Sequence, residues 1–197
     1  MEYRCRLGVN CITSPEVLMR TAVVRDVGGQ RDLAHTHDME MWLRLARATD
    51  VGWLEGPHQA WHREHDASLS ALQVDVLTDL EERAEAFEVL FRDGLGRPEQ
   101  SERLHRMART ALGREAVRRV CQAYVRGWGG STTTDAYLAF ARRMVGDLGG
   151  LPETRFMQAS MKAGPRRARY VPRLLIRAAS VRFESRMRRR MWAVTGL

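Results

Sequence analysis

The chain has 197 residues and a formal net charge of +8, and 44% of its residues are hydrophobic while 28% are charged. This composition excludes an intrinsically disordered chain and predicts a globular protein with its own core. Its three cysteines form no C-x-x-C pair, which excludes a disulfide framework and favours a reducing, cytoplasmic location. We also expect no signal peptide and no membrane span, because no apolar run approaches the roughly 20 residues that a span needs.

The first 70 residues predict a few short strands around one helix. Apolar runs at residues 17–19, 51–54 and 59–62 favour strands, and Gly28-Gly29 predicts a turn after residues 23–27. A helix is expected at residues 38–48, because Met41, Trp42 and Leu45 recur at the spacing of one helical face.

From about residue 70 the pattern becomes entirely helical. Ser70 and Gln73 resemble a capping box for a first helix, and Pro98 suits the first turn of a second. Residues 117–124 indicate a third helix, and Ser131 or a neighbouring threonine is expected to cap a fourth. The sequence therefore predicts an α+β fold with three parts, at residues 1–70, 71–160 and 161–197.

The positive charge is concentrated in the last of these parts. Residues 162–197 contain 11 basic residues and one acid, Glu184, which leaves the rest of the chain close to neutral. Apolar residues recur among the arginines from 166 to 194, so we predict a basic amphipathic helix with a kink near Pro172. Such a helix can lie on an anionic membrane surface, or it can be a solvated tail. Nucleic acid is a weaker third option, because no aromatic residues are interleaved for base stacking.

Asp38 is the residue of most chemical interest. It stands at the predicted start of the helix at 38–48, where a carboxylate is favoured because the first backbone N–H groups lack partners. The same position would suit a general base that faces a cleft. His35 and His37 beside it could shift its pKa, bind an anionic group or simply occupy the rim of the cleft.

The order of several short motifs resembles the second half of a family 2 glycosyltransferase domain of the GT-A type. The motifs are residues 17–20, Val-Gly-Gly at 27–29, His-Asp-Met-Glu-Met-Trp-Leu-Arg-Leu-Ala at 37–46, residues 51–54 and Arg-Glu-His-Asp-Ala-Ser-Leu-Ser at 63–70. Together they cover roughly residues 10–70, and the ordered set is more specific than any one motif.

The resemblance implies a role for five residues. Asp38 corresponds to the catalytic base that deprotonates an acceptor hydroxyl, and His65 to a histidine near the diphosphate and the metal ion. Arg63 would contact phosphate, since guanidinium groups bind phosphate oxygens in pairs. His37 and Arg20 complete the expected substrate- and phosphate-binding set. Trp42 is expected in the core, and Arg44 in an ion pair or on the surface.

The resemblance further implies a nucleotide diphosphate sugar as donor, a glycan or other hydroxyl compound as acceptor, and Mn²⁺ or Mg²⁺ as cofactor. No Asp-x-Asp motif is present, and His37 replaces the glutamate usual in that family. We therefore expect a truncated transferase that is inactive alone.

His58, His62 and His65 could instead form a metal site if they shared a helix face. A non-catalytic helical interaction module and a peripheral membrane-binding protein are the two remaining functional hypotheses.

Overall fold

In the computed structural model, residues 14–52, 76–92 and 98–172 are described almost without interruption. A few positions outside these ranges are also described, namely Gly8, Asn10, Ile12, Leu54, Ala60, Trp61, Arg63, Ile176, Ser180, Phe183 and Met187. The helices within the long ranges are α1 (Thr21–Asp26), α2 (His37–Ala48), α3 (Val76–Arg92), α4 (Pro98–Arg126), α5 (Thr132–Val145) and α6 (Thr154–Ala168). Short 3₁₀ turns lie at Ser14–Glu16 and Leu148–Gly150.

The chain divides into two compact units, Met1–Ala108 with Val194–Leu197, and Arg109–Ala193. In the first unit α2 is the central element, since every residue from Met39 to Leu45 is buried. One side of α2 packs against α1 through Met41, Trp42 and Leu45, and α2 also packs against α3. Trp42 is therefore in the core, as predicted.

The predicted α+β fold is wrong, because none of the described residues lies in a β-strand and helices account for most of them. Residues 17–20 form a loop in which Leu18 is 91% exposed. Val51 and Leu54 are also exposed, as is Trp61. A strand needs a neighbour for its backbone N–H and C=O groups, and an apolar run of three or four residues does not supply one.

The predicted turn at Gly28-Gly29 is confirmed. Gly28 has a φ of 84° and Gly29 a φ of 67°, a backbone conformation that residues with a side chain rarely adopt. The preceding valines belong to the helix α1 and its C-terminal end, where Val23, Val24 and Val27 pack on the core of α2. β-branched residues thus form part of a short helix because tertiary packing overrides their strand preference.

The long helix α4 replaces the two helices predicted from Pro98 to Tyr124, and the boundary between the units, after Ala108, falls within it. Gly113 does not interrupt α4. Its lack of a side chain allows α5 to pack closely against α4 at this position. A Cβ at Gly113 would lie only 2.8 Å from Cγ1 of Val145 in α5. Ser131 caps α5 as predicted, because its Oγ accepts the Thr134 N–H.

Glu153 fixes the start of α6 against α4. Its carboxylate is 4% exposed and accepts hydrogen bonds from Nε of Arg114 at 2.9 Å and from Nη2 of Arg118 at 2.8 Å. Burial acts to raise the pKa of Glu153. The hydrogen bond from Arg114 and the charge of Arg118 outweigh burial, so the pKa lies below its ordinary 4.5.

Further along, α6 is kinked at Gly164, where φ is 75° and ψ is 163°. Pro165 follows and lacks a backbone N–H, so the hydrogen-bond ladder of α6 cannot continue through it. Among the described helices, none combines the length and the apolar character that crossing a bilayer requires.

Candidate functional site

Asp38 lies in the first turn of α2, partly buried, with both carboxylate oxygens in hydrogen bonds. Oγ of Ser14 donates to Oδ2 at 3.1 Å, and Nδ2 of Asn10 donates to Oδ1 at 3.4 Å. The Met39 N–H donates to Oδ1 at 2.5 Å. The carboxylate therefore holds the loop at residues 10–14 against the start of α2.

The helix start itself is not capped by a side chain. Thr36 is the N-cap residue, but its Oγ1 donates to the Glu82 carbonyl of α3 at 3.0 Å instead of accepting from α2. Asp38 in the first turn thus provides the negative charge that the helix dipole favours. The predicted role of Asp38 as a helix-start carboxylate is thus observed, and its role as a general base stays a prediction.

The remaining predicted site residues are less closely grouped. His37 precedes Asp38 as the first residue of α2 and is partly buried. Arg20 is the exposed N-cap residue of α1, and Arg63 is exposed. Between the described residues, no hydrogen bond or ion pair joins Asp38 to any of these three. His65, like His58 and His62, lies outside the described residues.

A buried ion pair supports the site from within α2. Glu40 is 0% exposed and Arg44 is 4% exposed, and Nε and Nη2 of Arg44 donate to the two carboxylate oxygens of Glu40, each at 2.7 Å. Arg44 also donates to the carbonyls of Val27 and Gly29. Arg31 lies 3.4 Å from Glu40 and donates to the Val89 carbonyl of α3.

Sequence reasoning predicted an ion pair as one of two roles for Arg44 but missed Glu40 as its partner. The signal was available, because an acid four residues before a base on a helix faces it. No sequence pattern predicts the hydrogen bonds of Asn10 and Ser14 to Asp38, because these bonds depend on the path of the loop that contains both residues.

A divalent metal ion was expected from the resemblance. Over the described ranges, no group of three or more His, Cys, Asp or Glu residues is arranged to hold a metal ion. The described side chains therefore do not fit Mn²⁺ or Mg²⁺.

A second candidate site lies in the second unit, in the basic C-terminal part. The described helical positions Ile176, Ser180, Phe183 and Met187 are separated by four, three and four residues, which places them on one helix face. Ile176 is 69% exposed, Phe183 65% and Met187 39%. An arginine-rich sequence thus exposes a row of large apolar side chains to water.

Three exposed arginines, Arg166, Arg167 and Arg169, follow the kink of α6. Tyr170 follows and is 72% exposed, with the guanidinium of Arg169 5.2 Å from its ring centroid. The kink predicted near Pro172 has a counterpart in the structure, since α6 ends at Ala168 and helix resumes at Pro172 after the turn at residues 169–171. The kink at Gly164, where φ is positive, is an additional one.

Comparison with protein families, with curated proteins and with solved structures finds no match to this chain. The predicted membership of a GT-A glycosyltransferase half is therefore wrong on two grounds. No family match supports it, and the described residues form helices without the sheet on which a GT-A domain is built.

Proposed function

We propose that the protein binds peripherally to an anionic membrane surface, at the cytoplasmic face, through its basic C-terminal helix. The observation that carries the proposal is the exposed row of Ile176, Phe183 and Met187 within a segment of 11 basic residues and one acid. A helix with a row of apolar side chains in an arginine-rich sequence suits the boundary between headgroups and acyl chains.

The energetics favour a lipid surface over a solvated tail. Each Lys or Arg near an anionic surface contributes about 1 kcal/mol, and full burial of an Ile or Phe side chain about 1.5–3 kcal/mol. Apolar insertion and electrostatic attraction therefore act together, and the electrostatic part weakens as salt screens it.

Vesicle binding by the full chain tests the proposal. We expect sedimentation with vesicles that contain phosphatidylserine, weak sedimentation with neutral phosphatidylcholine vesicles, and weaker binding at high salt. The double variant Ile176→Ser/Phe183→Ser should lower the affinity about 100-fold, since it removes apolar burial but keeps every charge.

The matched control is Val51→Ser/Leu54→Ser, which removes two equally exposed apolar side chains from the first unit. This control should bind like the unaltered chain. Equal vesicle binding by both double variants would show that the C-terminal apolar row does not enter the membrane.

Sugar transfer from a nucleotide diphosphate sugar to a hydroxyl acceptor is the second candidate function, and it is supported by Asp38 alone. In such a step the acceptor oxygen bonds to the anomeric carbon, its proton passes to the Asp38 carboxylate, and the nucleoside diphosphate leaves. The observation behind this candidate is a partly buried carboxylate at the start of α2, which would have to exchange its hydrogen bonds from Ser14 and Asn10 for one from the acceptor hydroxyl.

An assay of donor hydrolysis and transfer, with Mn²⁺ supplied, tests this second candidate. The chain alone is predicted to be inactive, and turnover at ordinary enzyme rates would contradict that prediction. Any turnover that persists in Asp38→Asn would exclude Asp38 as the base, and Asp32→Asn, at an exposed aspartate, is the control. A non-catalytic interaction module predicts instead that Asp38→Asn changes no phenotype.

A further inference from the structure

The loop between α4 and α5, residues 127–130, exposes a tryptophan in a defined position. Trp128 is 43% exposed, and its backbone N–H donates to the Ala123 carbonyl at 3.1 Å. The loop lies directly on the buried ring of Tyr124, because a Cβ at Gly129 would be 2.4 Å from Cγ of that ring. The polypeptide thus covers part of Trp128 and leaves 43% of it exposed to water.

The same loop adjoins the beginning of the basic segment. A Cβ at Gly127 would lie 3.8 Å from the carbonyl oxygen of Pro165, so the loop and the kink of α6 are neighbours. Arg126 precedes the loop and is exposed, and exposed arginines follow Pro165 at 166, 167 and 169. Trp128 therefore belongs to a loop whose backbone adjoins the kink of α6, after which these exposed arginines follow in the chain.

We propose that the loop at residues 127–130 is a second membrane contact, with Trp128 as an interfacial anchor next to Arg126, Arg166, Arg167 and Arg169. This inference rests on the proposed membrane binding. Tryptophan and tyrosine favour the level of the lipid headgroups, where the ring is apolar and the polar atom remains hydrated. Arginines beside such a ring match the negative charge of that layer.

Two contacts on one unit would also strengthen each other. Once the C-terminal helix is bound, the loop meets the surface at a high effective concentration. A single acyl chain attaches a protein only reversibly and stable anchoring takes two signals, and we expect two weak contacts of this chain to combine in the same way. The exposed apolar row at Ile176, Phe183 and Met187 favours lipid over nucleic acid, since phosphate and base contacts leave such a row uncovered.

The test compares Trp128→Ser with Trp61→Ser in the full chain, on phosphatidylserine-containing vesicles. Trp61 is 92% exposed in the first unit and is the matched control. We expect Trp128→Ser to lower vesicle affinity about 10-fold and Trp61→Ser to leave it unchanged. Thermal unfolding of both variants verifies that each is folded.

Quenching by brominated lipids gives a second readout. The unaltered chain should lose more fluorescence intensity to the bromine atoms than Trp128→Phe, a variant that keeps an apolar ring at this position but lacks its indole. The other four tryptophans, Trp192 among them, are present in both proteins and cancel in this comparison of intensity lost. Equal quenching of the two proteins would place Trp128 outside the bilayer and overturn the inference.

The failures of the two proposals are distinguishable. If Ile176→Ser/Phe183→Ser weakens binding while Trp128→Ser equals Trp61→Ser, the loop is not a contact and the C-terminal contact stands. If only Trp128→Ser weakens binding, the C-terminal contact fails. Tighter binding to single-stranded DNA than to vesicles, lost in Trp128→Ser, would assign the loop to base stacking and overturn the membrane inference.

Discussion

Arg44 and Glu40 meet inside the first unit through two parallel hydrogen bonds, each 2.7 Å long. The same guanidinium donates to the carbonyls of Val27 and Gly29, at the turn that follows α1. Arg44 thus supplies hydrogen-bond donors both to a buried carboxylate and to two backbone carbonyls of the glycine turn. Burying two charges is favourable only when their remaining hydrogen-bonding groups are also satisfied, as they are here.

Replacement of Glu40 by glutamine should destabilise the protein by about 3 kcal/mol, because Arg44 and Arg31 lose their negative partner. Urea unfolding measures this change. Glu102→Gln is the control, since the Glu102–Arg106 pair is 3.6 Å apart and largely exposed, and exposed pairs contribute at most about 1 kcal/mol. Equal losses in the two variants would contradict the structural role of Glu40.

The lowered pKa of Glu153 predicts a specific acid sensitivity. Because this pKa is below the 4.5 of the unfolded chain, the stabilising contribution is present above about pH 4.5 and is lost as the pH falls through the folded-state pKa. Glu153→Gln should therefore cost about 2 kcal/mol at pH 7 and much less at pH 3.

Urea unfolding at these two pH values measures the difference. The exposed Glu99 provides the control, since Glu99→Gln should leave the pH dependence unchanged. A loss for Glu153→Gln that stays constant between pH 7 and pH 3 would show that the two arginines do not hold this carboxylate ionised.

Because α4 packs closely on α5 at Gly113, we expect Gly113→Ala to lower the stability of the protein. Alanine favours a helix interior by about 1 kcal/mol, but here its Cβ would lie 2.8 Å from Cγ1 of Val145. Overpacking costs about 1–3 kcal/mol, so a net loss of about 1 kcal/mol is expected. The double variant Gly113→Ala/Val145→Ala removes the obstructing methyl group and should recover stability, and a double-mutant cycle by thermal unfolding measures the coupling.

Sequence patterns predicted some features well and others poorly, for identifiable reasons. The helix at His37–Ala48, the Gly28-Gly29 turn and the Ser131 cap depend on local spacing and backbone preference, and all three are observed. The strands at 17–19 and 51–54 depend on partners elsewhere in a sheet, which local pattern cannot specify. The continuity of α4 through residue 113 was not predicted, and the close approach of Val145 on α5 to that glycine is not visible in local pattern either.

The candidate sites show the same contrast. Asp38 at the helix start and the amphipathic basic segment are visible from spacing and charge alone. The hydrogen bonds of Asn10 and Ser14 to Asp38, and the nearness of the Trp128 loop to Pro165, arise from chain paths over longer separations. Contacts between residues so far apart in the chain leave no repeating pattern in the sequence from which they could be predicted.

The exposed apolar side chains of the first unit have a practical consequence for handling the protein. Leu18, Val51, Leu54 and Trp61 are each more than 70% exposed, and bulky apolar groups in water promote self-association. Concentrated samples should therefore form soluble oligomers that are unrelated to the C-terminal segment. The Val51→Ser/Leu54→Ser background should remain monodisperse at higher concentration, which makes it the better starting material for crystallisation.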